Sequence, residues 1–176
     1  MALAASVTGA ALTPLWQELS RSVPPADEVI RVALRLVGSL IIGTLIGLQR
    51  ELTHKPAGLR THLLVALGTT LVVVAAVNAG MKSGDVSRVI QGLITGIGFL
   101  GGGTILKLTR EHEIRGLTTA AGIWLTAAAS IAVGLGKFVD AFIGVLFALI
   151  VLTAVGKFSG NGTSASESES SDRHSL

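Results

Sequence analysis

The chain has 176 residues, 49% of them apolar and 14% charged, with a net charge of +3 and a mean hydropathy of +0.67. One domain's length at that hydropathy points to a multi-span membrane protein, and the singly placed Lys and Arg suit topology better than nucleic-acid binding. With no Cys, disulfides, thiolate catalysis and cysteine metal sites are excluded.

Residues 1–28 are mildly apolar and lack the basic start of a signal peptide. Pro14 and the Pro24-Pro25 pair interrupt any long helix, and Leu12, Leu15, Trp16 and Leu19 suit a segment on the membrane surface. The membrane domain is predicted over 29–156, and its first helix over 29–48. That helix has an uncharged run from Leu36 to Gln49, about 21 Å at 1.5 Å per residue and short of the roughly 30 Å hydrocarbon core. Arg35 must therefore snorkel outward or turn inward to a partner, and snorkelling is the simpler expectation. Ser39, Gly43 and Gly47 recur every four residues, a small-residue stripe leading to Arg50 and Glu51.

A basic loop over 50–61 turns at Pro56-Ala57-Gly58, and a second helix is predicted over 62–77, ending near Asn78-Ala79-Gly80. The third, over 89–106, holds Gly92, Gly96, Gly98, Gly101, Gly102 and Gly103, with no charge between Arg88 and Lys107. Each Gly costs about 1 kcal/mol against Ala in a soluble helix, whereas in lipid small residues let helices touch. This run is expected to be the packing hub of the molecule, with a break near Gly101–Gly103 as an option. Residues 107–115 form the most charged segment. A fourth helix follows over 116–133, a tight connection at Gly134-Leu135-Gly136-Lys137, and a fifth over 138–155 with Asp140 in its first turn. Residues 157–176, rich in Ser, Gly and acidic side chains, are expected to form a disordered cytoplasmic tail.

Arg50, Lys55, Arg60, Lys107, Arg110 and Arg115 lie in the loops of one side and Lys82, Arg88 and Lys137 in those of the other. This asymmetry places the N-terminus outside and the C-terminus inside, against the smaller vote of Arg21, Arg31 and Arg35. The expected fold is an all-α bundle of five transmembrane helices in the cytoplasmic membrane.

Four words in order, GTLIGLQREL (43–52), KPAGLRTHLLVALG (55–68), GIGFLGGGTIL (96–106) and RGLTTAAGIWL (115–125), resemble the MgtC/SapB membrane protein family over about 31–155. The resemblance implies the same five helices and orientation, and a role in survival at low magnesium and in macrophages. Some family members inhibit the F-type ATP synthase, and the family's label as a magnesium transport ATPase protein C comes without ATPase machinery. Longer members carry a C-terminal cytoplasmic domain, so this chain reads as a short form. Gln49 stands where many relatives have Glu, which weakens a metal site at that helix end.

Gly96-Ile-Gly98-Phe-Leu-Gly101 fits G-x-G-x-x-G but lies in an apolar span with no strand before it, so no dinucleotide site is expected. The choice there is between close packing through Gly43, Gly47, Gly92, Gly96, Gly98, Gly101, Gly102 and Gly103, which is favoured, and exposed backbone lining an ion or proton path. At the cytoplasmic rim Arg50, Glu51, Arg60, His62, Arg115, Thr118 and Thr119 converge on helix ends. They form either a solvated collar, with Thr118 and Thr119 capping the fourth helix, or a polar cluster. In the cluster Glu51 pairs with Arg60 or Arg115, and the surplus positive charge attracts lipid headgroups or an acidic partner. Outside the tail the carboxylates are Glu18, Asp27, Glu28, Glu51, Asp85, Glu111, Glu113 and Asp140, none of them mid-membrane, a poor set for magnesium. No GK[ST], GxSxG or HExxH word is present. The expectation is a protein without enzymatic activity or cofactor, whose partners are membrane lipids and another integral membrane protein or itself. It would regulate such a partner, the ATP synthase being the candidate by resemblance, in low magnesium or acid stress. The rival is a small ion or proton transport protein lined by the glycine-rich helix.

Overall fold

The computed structural model describes Pro14, residues 24–108 and residues 113–160, with side chains placed except over 106–108, 113–114 and 155–160. The interfacial segment expected before Pro24 and the tail from residue 161 onward lie outside the described residues. Five long helices are present among the described residues: α1 (Ala26–Leu52), α2 (Leu59–Asn78), α3 (Ser83–Gly103), α4 (Leu117–Gly134) and α5 (Phe138–Gly160). Of these α1, α2 and α4 are long and apolar enough to cross a membrane, while α5 contributes a shorter apolar stretch, Phe138–Ala154.

The chain divides into two units, one ending at Leu34 and one starting at Arg35. In the first, the opening turn of α1 carries an exposed ion pair between Asp27 and Arg31, one turn apart. In the second, α4 packs against α2, α3 and α5. Gly38, Ser39, Ile42, Gly43, Ile46, Gly47 and Arg50 are the buried residues of α1, two rows of four-residue spacing that make one face. Ile42 and Ile46 meet Ala129 and Val133 of α4 and Ala141 and Val145 of α5 in the main apolar cluster.

Helix ends are closed by backbone geometry. Gly80 at φ +70° lets its own amide reach the Val77 carbonyl at 3.0 Å and the Met81 amide reach that of Ala76 at 3.3 Å. Gly136 at φ +81° repeats this motif after α4, its amide on Val133 and that of Lys137 on Ala132, both at 2.8 Å. The same closure after α1 uses His54, at φ 54° the non-glycine residue with positive φ among the described residues.

Several boundaries differ from expectation: α1 is longer than 29–48 at both ends and α2 starts three residues before 62. α3 begins at Ser83, six residues early, because Asp85 and Arg88 are tolerated in its exposed first turns, where Arg88 pairs with Asp85 at 3.3 Å. It runs unbroken to Gly103 and stops there. The charged segment after it is not a plain loop: β1 (Leu106–Leu108) and β2 (Glu113–Arg115) pair antiparallel, with Lys107 opposite Ile114. α5 continues to Gly160, so the first residues assigned to the tail are helical.

Candidate functional site

Two glycines of α1 set how closely it meets α2. A Cβ on Gly43 would lie 2.9 Å from the His62 carbonyl oxygen, and one on Gly47 would lie 2.9 Å from the Leu59 Cα. At that range the two backbones are in contact and no side chain fits between them. Gly134 of α4 makes a similar approach to Val73, with 2.8 Å to its Cβ, and Gly38 of α1 to the Phe138 ring. The glycine-rich run of α3 is different. Gly92, Gly96, Gly98, Gly102 and Gly103 have nothing within 4 Å of a built Cβ, and Gly101 alone of the six touches a neighbour, Ala120 at 3.6 Å. The hub expected there is not where the chain packs on itself. Gly92 and Gly96 instead open on an apolar groove whose walls include Val72, Val89, Leu93 and Leu100.

Beside the main apolar cluster, α1, α2 and α4 enclose a set of polar groups. Ser39, Thr70, His62, Thr126 and Ser130 are fully buried, and Arg50 is 2% exposed. The Arg50 Nη2 donates to Thr119 Oγ1 at 2.9 Å, while its Nε is buried without a partner. His62 Nδ1 lies 2.7 Å from Thr126 Oγ1, and that hydroxyl donates to the Gly122 carbonyl at 2.9 Å. The other ring nitrogen, Nε2, is buried without a partner. Further along, Thr70 donates to the Ser130 carbonyl at 3.0 Å. These bonds tie α2 to α4 where no water competes, each worth about 0.6 kcal/mol.

Arg35 has an inward partner. Its Nη1 donates to the Gly134 carbonyl at 3.0 Å, at the end of α4 where the helix dipole favours a cation. Fifteen residues separate Arg35 from Arg50, and fifteen separate Thr119 from Gly134, about 22 Å along each helix. The two arginines of α1 thus fasten antiparallel α4 at both ends.

Of the rim residues expected to converge, the structure brings together Arg50 and Thr119, and, through α2 and α4, His62. Glu51 is not where the cluster reading put it: its carboxylate accepts from the Leu59 amide at 2.7 Å. It serves as the cap that Gly58, without a side chain, cannot supply to α2. Thr118 and Thr119 do not cap α4 either. The residue at the cap position is Gly116 at φ +98°, which has no side chain to offer the first amides. Arg60, Arg115 and Thr118 are exposed. Thr70, Thr126, Ser130, Gly38 and Gly134 are the contributors that the sequence reading did not single out, while Arg35 is one for which it had named an inward partner as the second option. The four-residue spacing of Thr126, Ser130 and Gly134 is the signal that marks their face.

The outer surface completes the picture. Val37, Ile41, Leu45 and Leu48 of α1 are exposed, as are Leu64 and Leu71 of α2 and Trp124 of α4, and Phe99 of α3 is 84% exposed. Bulky apolar groups so widely exposed, while glycines, hydroxyls, an imidazole and a guanidinium are buried among the core aliphatics, are the reverse of the usual soluble helical surface. That distribution, with helices of spanning length, defines a membrane helix bundle.

The chain belongs to the MgtC family, which it matches over residues 36–160. It is 37% identical over 140 residues to Protein SrpB of Synechococcus elongatus, covering 73% of this chain and 77% of that one. Protein SapB of Bacillus subtilis is 36% identical over 126 residues, 68% of this chain and 54% of its own length. Protein MgtC of Brucella abortus is 41% identical over 118 residues, 66% of this chain and 48% of its own. The chain therefore spans about half the length of the SapB and MgtC relatives. None of these three names denotes an enzyme. No solved structure matches the chain.

Proposed function

We propose that this chain is a multi-pass protein of the cytoplasmic membrane, its five helices crossing with the N-terminus outside and the C-terminus inside. Its role is to regulate another integral membrane protein, without catalysis, in adaptation to low magnesium or acid stress. The observation that carries this reading is the outward glycine face of α3. A Cβ on Gly92 or Gly96 would meet nothing within 4 Å, and both border an apolar groove, a surface on which a transmembrane helix of a partner or of a second copy can lie close. The F-type ATP synthase membrane sector is the candidate partner through the family resemblance.

Affinity purification from the native membrane, with and without Gly96→Leu, tests it. The substitution projects into open space, so the protein should accumulate normally and lose its partner. Retention of every co-purifying membrane protein by Gly96→Leu would refute the docking face. Ion-specific flux by the purified protein in liposomes would favour the transport reading instead.

A further inference from the structure

We infer that the first turn of α4 is a binding site for a phosphate group, formed by the amides of Leu117, Thr118 and Thr119 together with the buried guanidinium of Arg50. This inference goes beyond the regulatory reading and needs no protein partner.

Two independent features meet there. The first is an eighteen-residue helix whose N-terminus carries no acidic residue in its first turn and no side-chain cap. No cap can be added, because a Cβ on Gly116 would sit 2.0 Å from the Thr104 carbonyl oxygen. The cap position therefore leaves the first amides and the positive end of the dipole to be met by an acceptor from elsewhere, and this is a fixed property of the fold. The second is Arg50, 2% exposed, which reaches the third residue of that turn through Thr119 and keeps a buried Nε–H without an acceptor.

A cation held at the positive end of a helix is set against the dipole, and burying it without an opposite charge is unfavourable. Glu51, next to Arg50 in sequence, gives its carboxylate to the Leu59 amide. An oxyanion answers both features at once. Its oxygens accept from the helix amides and from the guanidinium fork, whose planar donors fit phosphate. The turn is reachable from the surface, since Leu117 is 59% exposed and Thr118 is exposed too. A phospholipid headgroup and free inorganic phosphate share this chemistry.

The test uses the full chain, purified. In detergent, inorganic phosphate replaces chloride at constant ionic strength. In nanodiscs, phosphatidylglycerol is added to phosphatidylcholine. Apparent melting temperature is the readout. Binding at ten times Kd raises it by roughly 3–5 °C, in the phosphate arm for a free ion and in the phosphatidylglycerol arm for a headgroup. Thr118→Asp supplies a carboxylate to the turn from the chain itself and should abolish the rise; Arg50→Gln should do the same, and Lys137→Gln, at the far end of α4, should keep it. If Arg50→Gln does not fold, Thr118→Asp decides alone. A wild type indifferent to both anions, as it would be were Glu111 or Glu113 already in the site, overturns the proposal. So does a Thr118→Asp protein that shifts as much as wild type.

Discussion

Gly47→Ala and Gly96→Ala add the same methyl group to two helices and should have opposite consequences. At position 47 the new Cβ would stand 2.9 Å from the Leu59 Cα, 3.0 Å from the His62 Cβ and 3.2 Å from the Leu59 carbonyl oxygen. Two of these atoms are backbone, so relief requires α1 and α2 to part by about half an ångström or more along their seam, since ordinary contact begins near 3.4 Å. Overpacking of this kind costs about 1–3 kcal/mol. For a chain of this size that lowers the apparent melting temperature by roughly 3–10 °C. At position 96 nothing lies within 4 Å, so no contact opposes the methyl, and the change removes a Gly penalty of up to about 1 kcal/mol. Thermal unfolding of both variants in one detergent, followed by circular dichroism, makes the comparison. Equal destabilisation would refute the assignment of close packing to α1 and of open space to α3.

Gly116→Ala should be the most damaging small substitution in the chain. A Cβ there would lie 2.0 Å from the Thr104 carbonyl oxygen at a φ of +98°, so the hairpin and α4 cannot both keep their places; the check is loss of monodisperse protein in detergent extracts. His54→Gly should do the reverse. It relieves a positive φ of 54° in an exposed position, raising stability by about 1 kcal/mol in the same melting assay, and an unchanged melting temperature would count against strain at that helix end.

The sequence made helix number and helix ends legible for physical reasons that survive without tertiary contacts. Gly80 and Gly136 punctuate α2 and α4 because a left-handed residue is needed to close each helix on itself. The spacing of Ser39, Gly43 and Gly47 coincides with the buried face of α1, since a period of four already selects one side of a helix. The glycine run of α3 misled because density of small residues says that a close approach is allowed, not that the chain itself supplies the approaching helix. Arg35 misled for a related reason. Its sequence position says where a charge enters the apolar run, while its partner, the Gly134 carbonyl, is 99 residues away. Glu51 is the same case: an acid beside basic neighbours suggests an ion pair, yet the uncapped Gly58-Leu59 start of α2 lies closer and needs an acceptor. The β1–β2 hairpin left a trace that the charge of the segment hid, the alternation of Leu106-Lys107-Leu108 and Glu113-Ile114-Arg115.

The two arginine fastenings of α4 are not equivalent, and the difference bears on what the bundle can bind. At Gly134 the guanidinium of Arg35 meets a carbonyl and the negative end of the dipole, which favours a cation. At Thr119 the guanidinium of Arg50 meets a hydroxyl and the positive end, and among the described side chains no carboxylate is bonded to it. The same asymmetry works against a divalent cation between α1, α2 and α4. At about 8 Å from Arg50, in a medium of effective dielectric near 20, a magnesium ion would be repelled by roughly 4 kcal/mol. No group of three or more His, Asp or Glu among the described residues offsets that. The interior of this family member is thus electrostatically set for an anion at its Arg50 end, and a link to magnesium is more economically made through what the protein touches than through an ion passing between these helices.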